Sequence, residues 1–230
     1  MKFLAINFLI KVEIMKVLSI VLMFLFLMSY SCKVKEYEAG NKAVVDVLKV
    51  DKTDYEVDKE SLNLKFEFKK AYNLELEYLA SIALVTFYNQ SIEKLNKEGV
   101  KFINITIKHP TDEKTFQYAV GQVPYYKTAV NTSALFIENF LKSNMEANLQ
   151  YVNTDILPKE KLLELNQIAA TVMATNKIED YAFDGFKLEP KENLLHAKAI
   201  LNADKELLRV TIQVQLTTSK ISYFGINDDL

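Results

Sequence analysis

One cysteine, no tryptophan and two histidines stand among 230 residues. A single thiol, Cys32, permits no disulfide within the chain and rules out a multi-cysteine zinc site. The histidines, His109 and His196, lie far apart and form no HExxH pair. A zinc centre would need both rings brought together with carboxylates from distant segments. Five scattered glycines supply no glycine-rich phosphate loop, and the nucleophile-elbow and EF-hand patterns are also missing. No motif calls for a cofactor. Hydrophobic runs are short: Val17–Met28 falls below the roughly 20 residues that a membrane-spanning helix requires. Positive charge is not in excess, with 28 basic against 30 acidic side chains. That balance argues against a nucleic-acid binder, which would show a basic face.

What is present near the start is the apolar run VLSIVLMFLFLM, preceded by Lys16 and followed by Ser29-Tyr30-Ser31-Cys32. A basic residue, an apolar segment of this length and small residues after it are the parts of a secretory signal. Ending as it does on a cysteine, the segment 15–32 resembles a bacterial lipoprotein signal peptide with a relaxed cleavage motif. The resemblance implies removal of residues 1–31, acylation of Cys32 and attachment to a membrane through that lipid. Met15 makes a more compact start than Met1, which leaves residues 1–14 outside the signal proper. Lys33, not an aspartate, follows Cys32; by the same resemblance this implies an outer-membrane destination. Lys35-Glu36-Tyr37-Glu38 reads first as solvated linker, and is similar in part to a surface-export signal of some Gram-negative lipoproteins. The face of the membrane stays open.

From Cys32 to Leu230 there are 199 residues, carrying 25 basic and 29 acidic side chains. With no covalent cross-link, this length must stand on its hydrophobic core, as one large domain or two small ones. Residues 32–42 read as a polar tether. Residues 43–148 read as an α+β half, and 149–230 as a helix plus an antiparallel meander, either continuous with the first half or separate from it.

Alternation of Leu64, Phe66 and Phe68 with Lys65, Glu67 and Lys69 predicts a half-buried strand. Residues 73–97 predict a long helix whose middle, YLASIALVTFY, is apolar all round and must be covered on most sides. Acids at its start, lysines at its end and Gly99 after it suit a helix dipole and a C-terminal stop. Ile103, Ile105 and Ile107, the turn His109-Pro110-Thr111-Asp112, and Phe116, Tyr118 and Val120 predict a hairpin. Residues 132–145 predict a helix capped by Asn131 or Thr132. Residues 158–174 predict another, with Pro158 in its first turn and Leu162, Leu163, Leu165, Ile168, Ala169 and Val172 as its apolar set. Four strands follow at 181–188, 194–202, 207–217 and 220–226, joined by links of hairpin length. The expected fold is α+β: helices packed on a curved antiparallel sheet, with a C-terminal four-strand meander. That arrangement is similar to cystatin-like and NTF2-like folds.

Candidate chemistry is sparse. Phe66, Phe68, Tyr72, Tyr78, Phe87 and Tyr88 gather around the long helix as a packed core or as the wall of a ligand pocket. Gln117, Ala119 and Gly121 sit in a QYAVG stretch similar to the Q-x-V-x-G inhibitory loop of cystatins, with alanine in place of valine. The acidic pairs Asp112-Glu113, Asp180/Asp184 and Asp228-Asp229 read as solvated turns and tail rather than as a catalytic dyad. The expectation is a lipid-anchored envelope protein, non-enzymatic, binding a protein or an apolar ligand. The alternatives are a cavity-containing NTF2-like hydrolase or isomerase and a cystatin-like protease inhibitor.

Overall fold

The computed structural model describes residues 37–70, 74–176, 178, 180–202 and 207–226. The signal-like segment, Cys32, Tyr72 and the pair Asp228-Asp229 lie outside these residues. The chain is α+β, with two four-stranded sheets and helices packed on both.

The first sheet is built by α1 (Glu38–Leu48), β1 (Lys52–Asp58), β2 (Ser61–Glu67), α2 (Leu76–Lys97), β3 (Phe102–Lys108) and β4 (Glu113–Ala119). Its strand order is β1-β2-β3-β4. The outer pairs are antiparallel hairpins, but β2 and β3 run parallel, in register from Ser61 beside Phe102 to Glu67 beside Lys108. The parallel pair departs from the wholly antiparallel sheet expected. It arises because α2 returns the chain to the start of the sheet before β3 begins. Period-2 alternation puts Leu62, Leu64, Phe66, Ile103, Ile105 and Ile107 on the inner face, all buried.

The apolar middle of α2 is covered from several sides. It packs on β3, on α1 and on the outermost strand of the second sheet. Against α1 the approach is close: a Cβ on Gly40 would come within 2.5 Å of Ser91 Oγ and 2.8 Å of the Phe87 ring. Residues 37–42, expected to be tether, are thus part of the body, with Gly40 and Asn41 buried in α1. Their charged composition hid a helix whose buried face is Gly40, Asn41, Val44 and Leu48.

After a single 3-10 turn comes α3 (Val123–Leu141), then α4 (Met145–Asn148) and α5 (Lys159–Asn176). Helix α3 begins nine residues before the expected Thr132, and Pro124 sits in its first turn, where its missing N–H costs nothing. In α5, Leu162 is buried while Leu163 and Ile168 are half exposed.

The second sheet is the expected meander: β5 (Asp180–Glu189), β6 (Leu194–Asn202), β7 (Leu207–Gln215) and β8 (Lys220–Ile226), antiparallel throughout. Leu208, Val210, Ile212 and Val214 of β7 point into the core as their alternation requires. Helix α3 covers this face, with Phe136 and Phe140 packed on Phe224 at ring separations of 5.0 and 4.9 Å. Both edges of this sheet are occupied. At one edge, the N–H of Asn153 donates to the carbonyl of Ile221. At the other, α2 caps β5: Ser81 Oγ accepts from the N–H of Phe186 at 2.7 Å, and Glu77 Oε1 from that of Leu188 at 3.2 Å. A bulge between Phe183 and Gly185 lets β5 approach. Gly185 has φ +101°, and a Cβ there would meet the Tyr78 carbonyl at 2.5 Å.

Candidate functional site

Tyr37 is where the described body begins, five positions after Cys32. It is 1% exposed. Its ring stacks on Phe87 at 5.7 Å and meets Tyr55 edge-on at 5.9 Å. Its hydroxyl donates to Glu98 Oε2 at 2.8 Å, and Lys94 Nζ lies 5.7 Å above its ring. Tyr37 is therefore held at a fixed point beside the C-terminal turn of α2.

The expected aromatic cluster is dispersed through the core rather than gathered about one space. Phe66 lies on the inner face of β2, and Phe68 meets His109 edge-on at 5.3 Å. Phe87 supports Tyr37. Tyr88 is buried, with Lys127 5.8 Å from its ring. Tyr78 lies at the edge of the second sheet beneath Lys198. Two surface hollows are lined by other side chains. One of about 260 Å³ is bounded by Glu146, Leu149, Lys159, Leu162 and Leu163. The other, of about 220 Å³, is bounded by Lys52, Thr53, Asp54, Lys65 and Glu67.

The cystatin-like stretch is not a projecting loop. Gln117 and Ala119 belong to β4, and Gly121 to the helical turn after it. The Gln117 side chain lies across the sheet, donating to Asn104 Oδ1 at 3.0 Å. Gln117 and Ala119 are thus paired with β3, and of the three residues only Gly121 lies in a turn.

Gln117 instead belongs to a larger arrangement on the outer face of the first sheet. Asn104 Nδ2 donates to Asn63 Oδ1 at 2.8 Å, so Asn63, Asn104 and Gln117 form one row across three strands. In the next row Thr106 and Thr115 share a hydrogen bond of 2.8 Å. Lys65 Nζ bonds Glu113 at 2.8 Å diagonally, and Glu67 lies 3.7 Å from Lys108 and 3.8 Å from Lys52. The Glu113 carboxyl is held below the usual carboxylate range by that hydrogen bond, and the Lys65 ammonium is raised by it. Rows about 4.8 Å apart between strands and about 6.7 Å apart along them make a fixed lattice of donors and acceptors.

A second polar grouping lies on β5 and β6 near the start of α2. Lys198 Nζ stands 4.9 Å over the buried Tyr78 ring and 4.0 Å from Glu75 Oε1. His196 Nε2 is 3.4 Å from Glu189 Oε2, with the imidazole almost fully buried. Burial pushes the Asp184 carboxyl up, against the opposing pull of Arg209 and Lys198. Burial likewise raises the Tyr78 hydroxyl, reinforced by Glu75, Glu77 and Glu189. His109 belongs to the first sheet's hairpin turn and His196 to the second sheet, so each has a local setting of its own. Burial lowers His109. Among the described residues no three histidine or carboxylate side chains converge as a metal site, and no described helix is long and apolar enough to cross a membrane.

Sequence reasoning missed Asp184 as a perturbed carboxyl and Ser81 as a strand cap. Both owe their roles to contacts more than a hundred positions away or to neighbouring strands, which local pattern does not carry. Comparison with protein-family models, curated proteins and solved structures gives no match to this chain.

Proposed function

We propose that this chain is a lipid-anchored, non-enzymatic binding protein of the bacterial cell envelope. It is attached to the outer membrane through Cys32 and presents the outer face of its first sheet to a protein or peptide partner. One observation carries the binding surface: the rows of Asn63, Asn104 and Gln117 and of Thr106 and Thr115 are held in place by their own cross-strand hydrogen bonds. Side chains already ordered in the free protein lose little conformational entropy on binding, which favours such a face over a flexible one. The packed state of the aromatic core supports a polar contact over an apolar ligand.

The test is photo-crosslinking in intact cells. A photoreactive residue replacing exposed Thr115 or Gln117 is expected to give a discrete adduct that the same residue at exposed Leu135, on α3, does not. Adducts absent from both sheet positions, or the same adducts at Leu135, would contradict the assignment.

A second reading, acid–base catalysis on the second sheet, is favoured by one observation: Asp184 is a carboxyl held up by burial beside two cations. Perturbed carboxyls of this kind concentrate at functional sites. Its discriminating measurement is the pH dependence described below.

A further inference from the structure

Strand β1 is an edge of the first sheet, and the register shows which of its backbone groups face outward. Phe68 donates its N–H to the Lys108 carbonyl, and the Glu60 carbonyl accepts from Phe102. In a parallel pair every second residue bonds the neighbouring strand. The even-numbered residues of β2 therefore bond β3, and Ser61, Asn63, Lys65 and Glu67 bond β1. Their partners are Asp58, Glu56, Asp54 and Lys52. Thr53, Tyr55 and Val57 thus turn their N–H and C=O groups to the open side, where no further strand lies among the described residues. The Tyr55 N–H donates to Asp54 Oδ1 at 2.9 Å, an exposed bond.

The side chains along this edge are incompletely matched as well. Val57 is 43% exposed although its cross-strand neighbour Leu62 is fully buried. On the other edge strand, β4, Lys114 covers the Phe116 ring at 5.0 Å. On the outer face β1 presents Asp54, Glu56 and Asp58 against Lys52 alone. Lys65, opposite Asp54, is engaged by Glu113, and Glu56 and Asp58 stand beside neutral Asn63 and Ser61. The acidic excess holds over the whole neighbourhood: from Glu38 to Glu60 there are seven acids and four lysines.

Charge on an edge strand ordinarily keeps copies from pairing, and it does so here. Antiparallel pairing of two β1 strands centred on Asp54, Tyr55 or Glu56 sets Asp54 against Asp54, Asp54 against Glu56, or Glu56 against Glu56. Like charges directly opposite one another destabilise a ladder.

We infer that β1 takes an extended segment of a partner protein as a further strand, with lysine or arginine at alternate positions opposite Asp54, Glu56 and Asp58 and an apolar residue over Val57. This rests on the reading of the partner as a protein or peptide. In such strand addition main-chain hydrogen bonds supply affinity, and alternate side chains select the partner. The opposed charges then stand on residues about 5 Å apart at Cβ, well within a Debye length.

The test is fluorescence anisotropy with the purified full chain and a labelled, end-blocked peptide of alternating valine and lysine. In an added strand one alternate set of the peptide's amides faces β1 and the other faces away. N-methylation of one set is expected to weaken binding about tenfold, the effect of losing one or two net hydrogen bonds, and N-methylation of the other to leave it nearly unchanged. Val57→Pro, a change tolerated where an edge N–H faces outward, is expected to weaken binding likewise, and Glu56→Lys with Asp58→Lys to abolish it. Equal losses from the two methylated peptides would show attraction to charge alone and overturn the inference. A dimer in sedimentation that Val57→Pro dissolves would also overturn it, because a second copy would then cover β1. If Val57→Pro fails to fold, the pair of methylated peptides still decides. Crosslinks at Thr115 and Gln117 report the outer-face reading separately, so either can fail alone.

Discussion

Ser81 shows how one hydroxyl ties two sheets together. It is fully buried, donates to the Tyr78 carbonyl at 2.8 Å and accepts from the Phe186 N–H. Ser81→Ala leaves that N–H buried without its acceptor, at a cost of about 1–3 kcal/mol. Thermal or urea unfolding is expected to show the loss, and a stability equal to wild type would refute the capping role. Asp184 makes the opposite prediction. Its native-state pKa lies above that of an unfolded aspartate, so the native state holds the proton more tightly. Stability from this group is therefore fully present below the ordinary carboxylate range and is lost as pH rises through the raised value. Asp184→Asn is expected to raise the melting temperature at pH 7, with the gain fading in acid. A lower melting temperature at pH 7 would mean that Arg209 and Lys198 outweigh burial, and would remove the one observation favouring catalysis.

At the scale of elements, the pattern was most legible where one face is buried and the other wet. Strand β7 and the Ile103–Ile107 strand alternate strictly, and their boundaries and faces follow directly. Helix α2 declared its burial by being apolar all round. Helix α1 and strand β1 did not show. The first carries its inner face on Gly40, Asn41, Val44 and Leu48, a stripe whose first half is too small and polar to read, and the second is an acidic edge strand with only Thr53 and Tyr55 partly covered. Gly40 turns this into a prediction. Glycine in a helix interior ordinarily costs roughly 1 kcal/mol relative to alanine, so Gly40→Ala on an isolated helix would stabilise. Here the added methyl meets Ser91 and Phe87 below contact distance, and overpacking of that kind costs about 1–3 kcal/mol. The expected net result is a fall in denaturation midpoint. A rise would show that α1 does not seat as closely as its geometry requires.

The whole molecule divides its tasks between composition and topology. Composition told that the chain can form no internal disulfide and holds no metal-binding set of cysteines. Topology decided what sequence could not: that β2 and β3 pair in parallel, that the meander is a second sheet, and that α2 lies against both. Local periodicity sets which face of a strand is buried and short links reveal hairpins, but neither tells which strand lies beside β2 across a helix, so the β2–β3 pairing was out of reach. The candidate surface was hidden for the same reason. Asn63, Asn104 and Gln117 are unremarkable polar positions until three strands bring them into one row.

The claim on which the proposed function depends is the lipid on Cys32. It is tested by metabolic labelling with a fatty-acid analogue, followed by membrane fractionation of the wild-type chain and Cys32→Ala. The account predicts that the wild type is labelled and sediments with membranes, whereas the variant is unlabelled and is lost from the membrane fraction. Equal partitioning of the two, with neither labelled, would contradict it.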